Sequence, residues 1–197
     1  MFGLFKKDPS KLLKQDTSAK KSGNMDEAIS LLRKAYKAIA KSDMNSGVDT
    51  FLRLPLYLQE ANRTEEAWNE FENLLTKGYP NQQPNKYPQL LPMDRSTIYD
   101  KMRLFLQREG RNDEAVKYGL FSHLSWASGL YLQSRREEFK DFIDAETTDN
   151  VVTKLLKKAK KANLSEKVSS LIKHEIKNVP KIDFKVLGTK VDSVLTE

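Results

Sequence analysis

The side chains able to do acid–base, nucleophilic or metal chemistry are few, and their spacing is unfavourable for each. The chain has no cysteine and only two histidines, His123 and His174. His174 opens "HEIK", which lacks the second histidine, four residues on, that a zinc-binding helix requires. His123 stands in "FSHLSWASG" beside Ser122 and Ser125. Adjacent residues of a helix point in different directions, however, and no acid is placed to orient the ring. The pairs Glu65–Glu66 and Glu137–Glu138 suit solvated helix faces better than acid–base couples. There is no GxxxxGK[ST] phosphate cradle, no GxGxxG and no GxSxG elbow. The expectation is a protein that is not an enzyme, with no cofactor, no metal and a structural His123.

Lysine is the other chemistry on offer. In "VVTKLLKKAKKAN", Val152, Leu155, Leu156 and Ala159 make an apolar stripe, and Lys154, Lys157, Lys158, Lys160 and Lys161 cover much of the rest. Such a helix can touch nucleic-acid phosphates or anionic lipid. No arginine follows Arg136 and no aromatic residue interleaves the lysines, so base stacking is not signalled. The plainer expectation is a closing helix with its polar face outward. The net charge of +7 divides into +4 over residues 1–22, +6 over residues 151–197 and −3 between them. This describes a mildly acidic body with two basic ends.

Elements must position these groups, and the composition points to helices. Eight glycines and seven prolines in 197 residues are too few for an all-β chain with many tight turns. Hydrophobic residues at 39% suffice for a core, no run reaches the length of a membrane span, and "MFGLFKKD" is too short for a signal peptide. The expected compartment is the cytoplasm, which the absence of cysteine suits. In the N-terminal tip, residues 1–8, Phe2, Leu4 and Phe5 beside Lys6 and Lys7 offer at most weak contact with a membrane surface, and the plainer expectation is that they pack back onto the first helix.

Pro9 and Ser10 suit the start of a first helix and Gly23 its end. Asp26 begins a second, whose apolar side runs Ala28, Leu31, Leu32, Ala35, Ile39. A third holds Phe51, Leu52, Leu54, Leu56 and Leu58, and Pro55 inside it predicts a kink or a split. Thr64 has the chemistry of a cap for a fourth. Residues 78–92 read as a proline-rich connection, after which Asp94 or Ser96 caps the next helix. Asp113 opens a long helical stretch with a break expected at Gly129 beside Ser128. Two basic closing helices over 147–179 are capped by Thr148 or Asp149 and by Ser165. The tail, 180–197, alternates weakly and predicts a strand-like arm or a loose end.

One phrase recurs: "SGNMDEAISLL", "ANRTEEAWNEF" and "EGRNDEAVKYG", each a small turn residue, acids, then an alanine at 28, 67 and 115. The segments resemble tetratricopeptide repeats over roughly residues 10–130. Gly23, Asn62 and Gly110 match the turn, the alanines match the helix contact, and Leu12, Phe51 and Tyr99 match the large residue early in each first helix. The departures are alanine intervals of 39 and 48 and the presence of Asp16, Pro55 and Arg103 where the family has a small residue. Gly119 and Ser122 are weak substitutes at packing positions of the third second-helix.

The resemblance implies an all-α right-handed superhelix of stacked hairpins over residues 9–146, with extra C-terminal helices. It also implies a groove lined by first helices that binds a protein or peptide partner. Carried over from the alanines, the groove positions are Lys20, Lys21, Leu56, Gln59, Glu60, Leu104, Gln107 and Arg108. The alternatives are nucleic-acid or membrane-surface binding through the basic C-terminal helices and the N-terminal tip, and self-association through exposed ends of the array.

Overall fold

The computed structural model describes residues 8–83, 86–133 and 145–197, with the side chain of Ala145 not included. Nine α-helices and no strand are found among the described residues: α1 (Pro9–Lys21), α2 (Met25–Ile39), α3 (Val48–Glu60), α4 (Thr64–Lys77), α5 (Leu90–Arg108), α6 (Asn112–Leu132), α7 (Ala145–Lys158), α8 (Ser165–Ile176) and α9 (Phe184–Leu195). A single 3-10 turn, Ala162–Leu164, precedes α8. The chain divides into two compact units, residues 1–82 and 83–197.

The recurring phrase is a helix stop followed by a helix start. Gly23, Asn62 and Gly110 all take left-handed backbone angles, with φ of 81°, 58° and 76°. At each, two amides fold back on the ending helix. Gly23 N donates to the Lys20 carbonyl at 3.0 Å and Asn24 N to the Ala19 carbonyl at 2.9 Å. Asn62 and Arg63 repeat this on Gln59 and Leu58, as do Gly110 and Arg111 on Gln107 and Leu106. This pair of bonds satisfies carbonyls that a helix end would otherwise leave open, and it reverses the chain. The alanines at 28, 67 and 115 are fully buried, and Leu12, Phe51 and Tyr99 are buried too.

A fourth turn of the same kind joins α7 to the 3-10 turn. Lys160 has φ 58°, and Lys160 N and Lys161 N donate to the carbonyls of Lys157 and Leu156. A lysine stands there instead of glycine or asparagine, and three residues of 3-10 turn intervene before α8. Both changes set this hairpin apart from the recurring phrase.

In unit 1, α1 packs on α2, α3 on α4, and α2 on α3. Leu32, Ile39, Leu52, Leu58 and Phe71 are completely enclosed. In unit 2, α5 packs on α6, α6 on α7 and α7 on α8, around Ile98, Met102, Phe105, Leu106, Leu120, Leu124 and Leu156. Each such side chain contributes about 1.5–3 kcal/mol by leaving water.

Several expectations are corrected. The tail is helix α9, not a strand-like arm or a loose end. Asp183 caps it by accepting from the amides of Lys185 and Val186, and Leu187, Val191 and Leu195 bury one face. Phe184 packs against Tyr99 and Phe121, with ring centroids 5.5 and 5.2 Å away. The helix lies mainly across α6 and α8.

Gly129 does not break its helix, since α6 runs on to Leu132. A Cβ there would come within 2.6 Å of the Met93 side chain, so this glycine serves a close contact with α5. Pro55 does not split α3, which is helical throughout and buries Pro55. The Tyr36 hydroxyl donates to the Thr50 carbonyl at 2.6 Å, beside the Phe51 carbonyl that Pro55 deprives of its helical donor.

Thr64 is the first helical residue of α4 and Arg63 the cap position. Helix α5 begins at Leu90, ahead of Asp94 and Ser96, with Pro92 in its first turn, which shortens the proline-rich connection. α6 opens at Asn112, α7 at Ala145, ahead of Thr148 and Asp149, and Leu164 precedes Ser165 at the start of α8. Part of the connection is held to unit 1. Tyr79 stacks on Phe51 at 4.9 Å, and the Asn81 amide donates to the carbonyls of Ile39, Ser42 and Met44. The pair Glu137–Glu138 lies outside the described residues.

Candidate functional site

In unit 1 the facing sides of α1 and α3, both first helices of their hairpins, carry a joined set of polar groups. Helical spacing puts Asp16 on the same side of α1 as Leu12 and Ala19, so the fold buries it completely. One oxygen, Oδ1, accepts from Arg53 Nη2 and, at 3.0 Å, from the Thr17 hydroxyl. The other, Oδ2, is buried without a hydrogen-bond partner. Burial pushes the Asp16 carboxyl above the usual aspartate range, and the Arg53 charge opposes that rise without cancelling it. Arg53 Nη2 also donates to Thr17 Oγ1 at 2.7 Å and reaches the Tyr57 hydroxyl at 3.4 Å.

One turn further along, Lys20 Nζ pairs with Glu60 Oε1 at 2.6 Å and sits 4.4 Å from the centre of the Tyr57 ring. Of the positions carried over by spacing, Lys20 and Glu60 therefore meet. Lys21 is exposed, and Leu56 and Gln59 are half-buried on the same unit. Arg53, Tyr57 and Asp16 belong to this face and were not among the expected positions. The signal was available: an acid at a buried period of α1 requires a cation on the helix opposite.

Leu104, Gln107 and Arg108 lie on α5 in unit 2. Leu104 is half-buried and Arg108 exposed. Gln107 Oε1 accepts from Lys158 Nζ at 2.7 Å and from Arg103 Nη1 at 3.0 Å. Arg103 is further paired with Asp100, three residues before it on α5. Across from it, Gly119 leaves space that the Leu155 side chain fills, and a Cβ there would lie 2.5 Å from Leu155 Cδ2. Ser122, the other small residue, exchanges hydroxyl-to-carbonyl bonds of 2.9 Å with Ser96 of α5. These residues close helix contacts by being small.

The five lysines of the basic patch separate into two groups. Lys158 is tied to Gln107, and Lys161 donates to the Leu195 carbonyl at 2.8 Å and pairs with Asp113 at 3.5 Å. Lys154, Lys157 and Lys160 are exposed. His123 is buried, with Nε2 3.2 Å from the Thr148 hydroxyl, and burial lowers its pKa to about 4. The ring is therefore neutral at ordinary pH. His174 is exposed near the end of α8.

No group of three or more His, Cys, Asp or Glu able to hold a metal ion is present among the described residues. Within them, no helix is long and apolar enough to cross a membrane. Comparison with known proteins returns no match to any family model, any curated protein or any solved structure.

Proposed function

We propose that this chain is a non-catalytic protein-interaction module of tetratricopeptide-like build, whose first helices receive a peptide or helix from a partner. The observation that carries the reading is the repeated helix-stop turn, followed directly by a packed helix at Gly23, Asn62 and Gly110 and after a short 3-10 turn at Lys160. The same backbone reversal occurs at Gly23, Asn62, Gly110 and Lys160. Hairpins of this kind stack because none can bury both apolar faces alone, and stacking aligns the first helices along one side. On the α1–α3 side, Lys20 and Glu60 offer both charges and the half-buried Leu56 an apolar contact. A partner with apolar and charged contacts matches that mixture.

The tail favours the same reading. Helix α9 lies mainly across the second helices α6 and α8. The nucleic-acid alternative loses strength, because two of the five patch lysines are spent on internal contacts.

A peptide-display selection against the full chain tests the proposal. Selected peptides should bind Lys20→Ala/Gln59→Ala about tenfold less tightly, the scale of one or two lost interface contacts. Unchanged binding by that variant, and by Gln59→Ala/Arg108→Ala, removes the proposal.

A further inference from the structure

The outer side of the first hairpin, facing away from α3, bears a charge that the proposed groove does not use. Helices α1 and α2 run antiparallel and leave a trough between them. At one end is a recess of about 330 Å³ lined by Asp8, Pro9, Lys34, Lys37, Ala38 and Lys41, with Ser42 at its edge. The trough continues past Lys11, Lys14 and Leu31 towards Glu27. Lys11, Lys14, Lys34, Lys37 and Lys41 are all exposed, and no ion pair or side-chain hydrogen bond engages their ammonium groups among the described residues. The two acids here are occupied: Asp8 caps α1 through the Ser10 amide, and Glu27 accepts from the Asn24 side chain at 2.8 Å. Arg33, on the same helix, is paired with Glu66.

We propose that this face docks on an anionic lipid surface. Three features select lipid over nucleic acid. The free cations are lysines, which act as point charges on phosphate and make no fork-like contacts to bases. The recess has apolar walls in Pro9 and Ala38, and among the described residues no aromatic side chain lines it for base stacking. Finally, in the sequence Phe2, Leu4, Phe5, Lys6 and Lys7 immediately precede Asp8, which lines the recess. A short apolar segment binds membranes only marginally by itself, and stable attachment takes a polybasic patch as a second signal. The lysines of α1 and α2 supply that patch. This surface is distinct from the α1–α3 groove, so the two readings stand or fall separately.

The test is co-sedimentation of the full chain with phosphatidylcholine vesicles, with and without phosphatidylserine. Binding should require phosphatidylserine and weaken as salt is added. Each lysine at an anionic leaflet strengthens partitioning about fivefold, so Lys34→Gln/Lys37→Gln/Lys41→Gln should lower it by about a hundredfold. The control triple Lys154→Gln/Lys157→Gln/Lys160→Gln on α7 should lower it by less than about fivefold. All six lysines are exposed, so circular dichroism should show both variants folded like the parent. Three outcomes overturn the proposal: no binding to phosphatidylserine vesicles, equal losses in the two triples, or loss of RNA binding in the α2 triple without any vesicle binding by the parent.

Discussion

Asp16 in unit 1 and Glu175 in unit 2 are both buried acids with a single cation beside them, Arg53 and Lys190. Their acidities nevertheless move in opposite directions. For Asp16 burial outweighs Arg53 and raises the pKa. For Glu175 the hydrogen bond from Lys190 outweighs burial and lowers it. Two things differ: Asp16 is wholly buried where the Glu175 side chain keeps 9% exposure, and the second oxygen is served in only one of them. Glu175 Oε1 accepts from Lys190 at 2.7 Å and Oε2 from Asn178 at 3.2 Å, so both oxygens are served. Asp16 has two donors on Oδ1 and none on Oδ2. A neighbouring cation therefore does not by itself secure a buried carboxylate, because each desolvated oxygen needs its own donor.

The largest effect expected from this contrast is at Asp16. Asp16→Ala leaves a partly buried guanidinium without its anion and should cost about 2–3 kcal/mol in urea unfolding. Replacing both partners, as Asp16→Leu/Arg53→Met, should recover stability to within about 1 kcal/mol of the parent, because the desolvation cost disappears with the charges. If the double variant is no better than the single, the unpaired guanidinium of Arg53 is not the source of the loss. Glu175→Ala should cost less, about 1 kcal/mol, because Lys190 is nearly half exposed and can turn to water.

The two acids should also respond oppositely to pH. Asp16 has a raised folded pKa, so its contribution is present below the unfolded carboxyl pKa and is lost as pH rises through the folded value. The stability gap between the parent and Asp16→Asn should therefore be widest in acid and narrow towards neutrality. Glu175 has a lowered folded pKa, so its contribution is present above the unfolded pKa and is lost as pH falls through the folded value. The gap to Glu175→Gln should be widest near neutrality. Urea titrations of the parent and the two variants across the carboxylate range decide this, and trends of the same sign would break the comparison.

How much of this was legible in the sequence depended on whether one helix carried the whole signal. Helices and turns did. Pro9 opens α1 and Gly23 and Gly110 make turns where the sequence expects them, and the alanines at 28, 67 and 115 are buried. Contacts between hairpins were not readable in the same way. The repeat spacing puts Lys20 and Glu60 on one expected face without foretelling their ion pair, and the Asp16–Arg53 pair joins residues 37 apart and departs from the pattern. Helix α9 was misread although its marks were present: Asp183 as a cap, then Phe184, Leu187, Val191 and Leu195 at intervals of three and four. Ile182, Phe184 and Val186 alternate over the same stretch, and that short period-two run masked the helical one. Pro55 and Gly129 show tertiary packing overriding local preference, since both sit buried inside intact helices.

The four turns give the smallest expected effect. Gly23 and Gly110 have nothing within 4 Å of where a Cβ would stand, so the cost of a side chain there is the left-handed backbone alone. Lys160 holds the same conformation at φ 58° and bears that cost already. Lys160→Gly should therefore stabilise the chain by about 0.5–1 kcal/mol, and Gly110→Lys should destabilise it by a similar amount. Asn62→Gly should change stability by only a few tenths of a kcal/mol, because asparagine tolerates this region. Thermal unfolding of the three variants measures the order directly. Should Lys160→Gly destabilise instead, a contact of the lysine outweighs its backbone strain, and the fourth turn would not be equivalent to the other three.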